Sequence, residues 1–205
     1  MGPMHRGRSP IRWLAVAFVV LVAVGCSRSA DRRLRSGSMT SLLQPVALDA
    51  GRFCALGAPI EEEEGGLRGA LERAGVTFRY RGAIPDPLRS SLHVSLDRFA
   101  SDAAASAAGP EAESGVAASL GADTRAVGSL PGWAGTSVVR RDFVDYTGVH
   151  RSAFAVVVVV GPVVVRITSL GVPDIDSLAR FRAVSGSLLD GMVGAAAVHP
   201  IDVCA

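Results

Sequence analysis

Residues 152–170 read SAFAVVVVVGPVVVRITSL, and this stretch decides the fold class. Five consecutive valines, Val156 to Val160, are followed by Gly161-Pro162 and then by Val163, Val164, Val165 and Ile167. β-Branched side chains lose rotamer freedom in a helix and pack well on a pleated surface. The Gly-Pro step breaks the run, so the pattern predicts two strands, Ser152 to Val160 and Val163 to Leu170, folded as a hairpin. Loss of the apolar–polar alternation belongs to strands buried on both faces, which places the hairpin centrally and requires cover on both sides.

One cover lies just downstream. Pro173 stops the sheet, and Asp174 or Asp176 is expected to cap a helix carrying Ile175, Leu178, Phe181, Val184, Leu188 and Met192. These fall mostly three and four apart and make one apolar stripe, with Arg180 facing water. Upstream, Gly135 to Tyr146 reads as a third strand, turned by Thr147-Gly148. An Ala-rich stretch and Pro110 precede a predicted helix from Glu111 to about Leu120, with the proline in its first turn. Further back, Leu92, Val94 and Leu96 alternate with His93, Ser95 and Asp97, and Val76, Phe78 and Tyr80 with Thr77, Arg79 and Arg81, the period of half-buried strands. Leu67, Ala70, Leu71 and Ala74 predict a short helix, its N-terminus facing the carboxylates Glu61 to Glu64. A calcium site is the alternative reading of those four, although neighbouring carboxylates in one run usually face water. The order strand, strand, helix, three strands, helix predicts an α+β class: a largely antiparallel sheet of about five strands with a C-terminal helix packed on it.

The N-terminus has a different character. Arg6, Arg8 and Arg12 lead into an apolar run from Trp13 to Val24, then Gly25 and Cys26. A basic opening, a short apolar core and small residues before a cleavage point are the parts of a secretory signal. About a dozen apolar residues fall short of the ~20 that cross a bilayer. Ala23-Val24-Gly25-Cys26 resembles the lipobox of bacterial lipoproteins. The resemblance implies cleavage between Gly25 and Cys26 and a thioether-linked diacylglycerol on Cys26, with a further acyl chain such as palmitate in some bacteria. It also implies an address, the extracytoplasmic face of the cell membrane. Residues 1–25 are then signal peptide, 26–41 a lipidated cysteine and flexible Arg/Ser-rich tether, and 42–205 a single domain of ordinary size.

All 21 basic residues are arginine, and the chain has neither Lys nor Asn. That excludes a Schiff-base lysine, a P-loop lysine and a Ser-Lys dyad. The formal charge of +2 includes the signal. From Leu42 onward there are 14 Arg against 18 acidic residues, a balance of −4. This gives no electrostatic footprint for nucleic acid. Ser27 to Ser41 carries Arg28, Arg32, Arg33 and Arg35 against Asp31, or +3. Such a segment suits anionic headgroups or a solvated spacer equally.

Catalytic signatures are missing. No Gly-x-Ser-x-Gly occurs, and His93, His150 and His199 form no His-x-x-x-His pair. His93 is expected to be exposed on the polar side of its strand. His150 lies near Asp142 and Asp145 across the Thr147-Gly148 turn, a candidate metal cluster, though hairpin tips are polar by default and ligation needs three or four convergent ligands. With Cys26 lipidated, Cys54 and Cys204 are the remaining thiols in an oxidising compartment. A disulfide between them is expected; the alternative is a buried Cys54 and a free Cys204.

Ser129-Leu130-Pro131-Gly132-Trp133, a hairpin with a polar tip, two long strands and a capped amphipathic helix together resemble the LpqN-like lipoproteins of actinobacteria, which share the PsbP fold. The likeness covers Ser129 to about Met192. It implies a membrane-tethered α/β/α sandwich used for binding or assembly, with no shared catalytic residues and no cofactor. The expected activity is noncatalytic binding of an envelope protein, a lipid or a hydrophobic ligand. The rival is an accessory or chaperone-like subunit of a membrane complex, and an extracytoplasmic hydrolase ranks last.

Overall fold

The computed structural model describes residues 33–34, 37–43, 66–81 and 90–194, and the backbone of 53–55. In chain order the elements are α1 (Met39–Leu43), β1 (Phe53–Ala55), β2 (Glu72–Tyr80), β3 (Ser91–Arg98), α2 (Asp102–Leu120), β4 (Arg125–Gly128), β5 (Val138–Val144), β6 (His150–Val160), β7 (Val163–Leu170) and α3 (Leu178–Met192). A single 3-10 turn, Pro173–Ile175, precedes α3. Every strand pairing is antiparallel, in the order β1-β2-β3-β7-β6-β5-β4. The α+β class stands, but the sheet has six strands of four or more residues plus the three-residue edge strand β1, against the five expected.

The valine hairpin is central, as its composition requires. Along β6, Phe154, Val156, Val158 and Val160 enter one core with Val163, Val165 and Ile167 of β7. Ala153, Ala155 and Val157 enter a second core on the opposite face with Val164. The first core is closed by α3 through Phe181, Leu188, Leu189 and Met192, and by α1 through Met39, Leu42 and Leu43. The second is closed by Ala105, Ala108, Ala112, Val116 and Leu120 of α2. Small alanines let that helix lie close to the sheet, and at Gly109 even a Cβ would touch Val159 at 3.4 Å. Helices therefore cover both faces. Packing also starts upstream of Leu42, since Leu34 lies against the first core and the Met39 amide donates to Glu72 (2.8 Å).

Four local expectations are corrected. Leu67–Ala70 is a turn and Glu72–Tyr80 a strand, not a helix; pairing with β3 over eight positions overrides the short 3.6-residue pattern. The predicted helix at Glu111 begins at Asp102, capped by Ser101, so Pro110 lies inside it rather than in its first turn. Pro110 is exposed, and a ring on the solvent side avoids the packed face. The cap of α3 is Ser177, whose hydroxyl accepts from the Arg180 amide, not Asp174 or Asp176. Finally, β5 is shorter than Gly135 to Tyr146, β6 starts two residues before Ser152 at His150, and the four-residue β4 has no counterpart in the sequence pattern. Leu130 and Trp133 of the Leu-Pro-Gly-Trp step are buried, and Thr136 closes their turn by accepting from the Leu130 amide (2.9 Å) and donating to Trp133 (2.9 Å).

Candidate functional site

The richest polar arrangement lies where β5 and β6 leave the sheet. Arg140 and Asp142 of β5 stand on the same face as Phe154, Ser152 and His150 of β6, because Arg140 pairs with Phe154, Asp142 with Ser152 and Val144 with His150. The Arg140 guanidinium lies 5.4 Å from the Phe154 ring centroid, and Phe154 stacks on Phe181 of α3 at 5.3 Å. The arginine thus caps the core. Its Nε donates to Asp142 Oδ1 (2.7 Å) and its terminal nitrogen to Ser152 Oγ (3.1 Å). Ser152 Oγ donates to Asp142 Oδ1 (2.8 Å), and Arg125 of β4 binds Oδ2 (3.0 Å). Partial burial pushes the Asp142 carboxyl up, but the bonds from Ser152 and Arg140 and the charges of Arg140 and Arg125 outweigh it and hold it below the usual range. Arg140, Asp142 and Ser152, with His150, Arg151, Val172, Pro173 and Asp176, line a cleft of about 450 Å³.

Asp145 belongs to a separate arrangement at the hairpin tip. Its Oδ1 accepts from the Thr147 hydroxyl (2.6 Å), the Thr147 amide (2.8 Å) and the Val149 amide (3.0 Å). Its Oδ2 accepts from Arg151 Nε (3.1 Å). The hydroxyl of Thr147 first, then the Val149 amide and Arg151, hold its pKa down to about 2. Gly148, at φ +84°, takes the left-handed position the turn needs. An aspartate that caps its own turn in this way freezes the loop.

Asp142, Asp145 and His150 are therefore not brought together as a metal site. Asp142 and His150 share one face, while Asp145 spends its carboxylate on the turn and on Arg151. Among the described residues no three His, Cys, Asp or Glu side chains are placed to hold a metal. Nor do these groups form a nucleophile relay, because Ser152 donates directly to a carboxylate that two arginines already occupy. His93 is half-buried rather than exposed, and its Nδ1 lies 2.9 Å from Thr77 Oγ1. Cys26, Gly25 and Cys204 lie outside the described residues, as do Glu61 to Glu64. Of Cys54 only the backbone is described, paired with Arg79.

Two features escaped the sequence reading. Asp97, assigned to a polar strand face, is fully buried. It accepts from Arg166 (2.8 Å) and the Leu67 amide (3.3 Å), with Arg73 Nε 3.5 Å away. The second feature is the tip itself, where Val144 and Tyr146 are each 54 % exposed and Val149 44 %. A turn built of Val-Asp-Tyr-Thr-Gly-Val carries three large apolar residues where polar ones are usual, a signal available in the sequence. No helix among the described residues is long and apolar enough to cross a membrane. No family model matches this chain. No curated protein matches it either.

Proposed function

We propose that the protein is a noncatalytic, extracytoplasmic lipoprotein, anchored through lipid on Cys26, that binds an envelope protein through the tip of the β5–β6 hairpin. The observation that carries this reading is the tip: Val144 at the end of β5, and Tyr146 and Val149 in the turn, are exposed around a backbone that Asp145 ties together through the Thr147 and Val149 amides. Exposed apolar side chains grouped in this way mark interaction sites. A preformed loop binds without the entropy cost of ordering it. The cleft beside the tip is lined largely by Arg140, Asp142, His150, Arg151 and Asp176, which suits the rim of a protein contact better than a pocket for a hydrophobic ligand. The likeness of Ser129 to Met192 to the LpqN-like lipoproteins points the same way, as does the lipobox-like segment. An accessory subunit of a membrane complex, the rival reading, would use the same surface in a permanent contact.

The anchor is tested by metabolic labelling with a fatty-acid probe, which is expected to mark the wild type and miss Cys26→Ala. Equal labelling of both ends the lipoprotein reading. For the binding surface, a photo-crosslinking residue at Tyr146 in intact cells is expected to give a discrete adduct that disappears when Val144 and Val149 become serine. The control is Glu113, exposed on α2. No adduct at the tip, or the same adducts from both positions, would remove the hairpin from the proposal.

A further inference from the structure

We infer that the protein pairs with a second copy of itself, edge to edge, through the stretch Asp142 to Val144 of β5. The inference goes beyond the reading above, since it needs neither the lipid nor another protein. β6 accompanies β5 from Val138 to Val144, but on the other side β4 pairs only with Val138 to Arg140. Arg141 to Val144 therefore has no strand on its outer side among the described residues. The turn shows which groups face outward. The Asp145 amide donates to the Val149 carbonyl, so Asp145 turns its backbone groups toward β6. Those groups alternate sides along a strand, so Phe143 and Arg141 also bond to β6, and the N–H and C=O of Asp142 and Val144 point away from the sheet. A bare edge is a template for another strand, and proteins blunt such edges with bulges, prolines or free charges. β4 has a bulge between Ala126 and Gly128. The bare stretch of β5 has no such guard, because Arg140 and Arg125 neutralise Asp142.

This edge is complementary to itself. Antiparallel pairing about a two-fold axis at Phe143 sets Asp142 of each copy opposite Val144 of the other, and all the outward groups join in four backbone hydrogen bonds. On the α2 face, Phe143 then meets Phe143 of the second copy as a non-hydrogen-bonded pair, with Cα atoms about 4.5 Å apart. Phe143 is half-buried against the second core, which leaves part of its ring to pack on its mate. On each side of that pair Arg141 falls opposite Asp145 of the second copy. Both charges are held in place, Arg141 on the Leu120 carbonyl and Asp145 in its turn. Opposite charges across a strand pair favour association and fix the register. Pairing centred on Asp142 would oppose like charges and drive Val144 into β4, which fills the position beside Arg140. An isologous contact of this kind closes at a dimer. It is short, so the dimer is weak, and an envelope protein bound over Val144 excludes it.

The test uses mature protein in detergent, carrying Phe143→benzoylphenylalanine for photo-crosslinking, over concentrations up to millimolar. The expected product is a covalent dimer whose cross-link maps to residues 141–145 of the second copy. Sedimentation equilibrium then measures association of variants without the label. Val144→Pro removes an N–H that has no bond within its own sheet, at a position where edge strands tolerate proline. It deletes two of the four intermolecular bonds, one per copy, and should weaken association at least about tenfold. Val144→Ala keeps the N–H and should associate nearly as the wild type does. A cross-link that maps elsewhere overturns the inference. So does a wild type that stays monomeric at millimolar concentration, or Val144→Pro associating as tightly as Val144→Ala. The cross-link map decides the matter should Val144→Pro fail to fold. None of these results touches the anchor, which the labelling of Cys26 decides.

Discussion

Asp97 and Asp145 are two aspartates in polar-looking positions, and their roles differ because their surroundings do. Alternation along β3 places Asp97 on the face away from Leu92, Val94 and Leu96, which is where it lies. That face is nevertheless covered, so the carboxylate is 0 % exposed and bound to Arg166 with Arg73 beside it. Removing one member of such a group leaves buried charge uncompensated, at about 3–5 kcal/mol. Both arginines reach solvent, so Asp97→Ala should fall at the lower end, about 3 kcal/mol, measured as a lowered urea midpoint. An unchanged midpoint would mean that these bonds do not hold β2, β3 and β7 together. Asp145 instead fixes a loop. Its folded pKa of about 2 lies below the ordinary 3.8, so its contribution is present above the unfolded value and disappears as pH falls through about 2. The carboxyl resonance of Asp145 should titrate near 2 and shift back toward the ordinary value in Thr147→Val. A titration near 3.8 in the wild type would contradict the preformed turn.

At the scale of elements, α3 shows where periodicity suffices. Phe181 and Leu188, three and four apart from their apolar neighbours, are buried, and Arg180 is exposed, as the stripe required. Phe181 is also stacked on Phe154, so Phe181→Asp would set an unpaired carboxylate against the valine hairpin. The expected cost is several kcal/mol, enough to yield insoluble or degraded protein. Arg180→Asp should fold normally. Equal solubility and melting temperature of Phe181→Asp and wild type would refute the packing of α3 on β6. The helix α2 shows where periodicity fails, because alanines and glycines fill both of its sides and no stripe stands out. The pattern therefore points to a start at Glu111 with Pro110 in the first turn, whereas the helix begins at Asp102 and Pro110 is an interior residue.

For the whole molecule, the sheet order sets β3 beside β7 and so joins the two halves of the chain through eight cross-strand pairs. A bond between Cys54 of the edge strand and Cys204 would add a covalent link over the same span. In the chain-entropy model, closing so long a loop stabilises by roughly 4–5 kcal/mol. Mature protein is expected to resist alkylation unless reduced, and its melting temperature to fall on reduction. Two thiols that alkylate in the non-reduced protein would rule the bond out. The same global geometry sets the hairpin tip and the Gly161-Pro162 turn at opposite ends of β6.

By itself the sequence determined what depends on local pattern. The valine runs demanded central strands with cover on both faces, the Phe181 stripe demanded a sheet beneath it, and the apolar run ahead of Cys26 set the expected address. The first two signals survive in the fold because each concerns one segment and its own burial. Tertiary structure decided what depends on pairing between distant segments. Glu72 to Gly75 became strand because β3 supplied partners. Asp97 became a buried ion-pair centre because β7 brought Arg166 to it. Asp142 stands on β5 beside Ser152, while Asp145, just past the end of that strand, is claimed by its own turn. A single segment carries no record of its partner's charge or register, and those are what turned a polar pattern into a site.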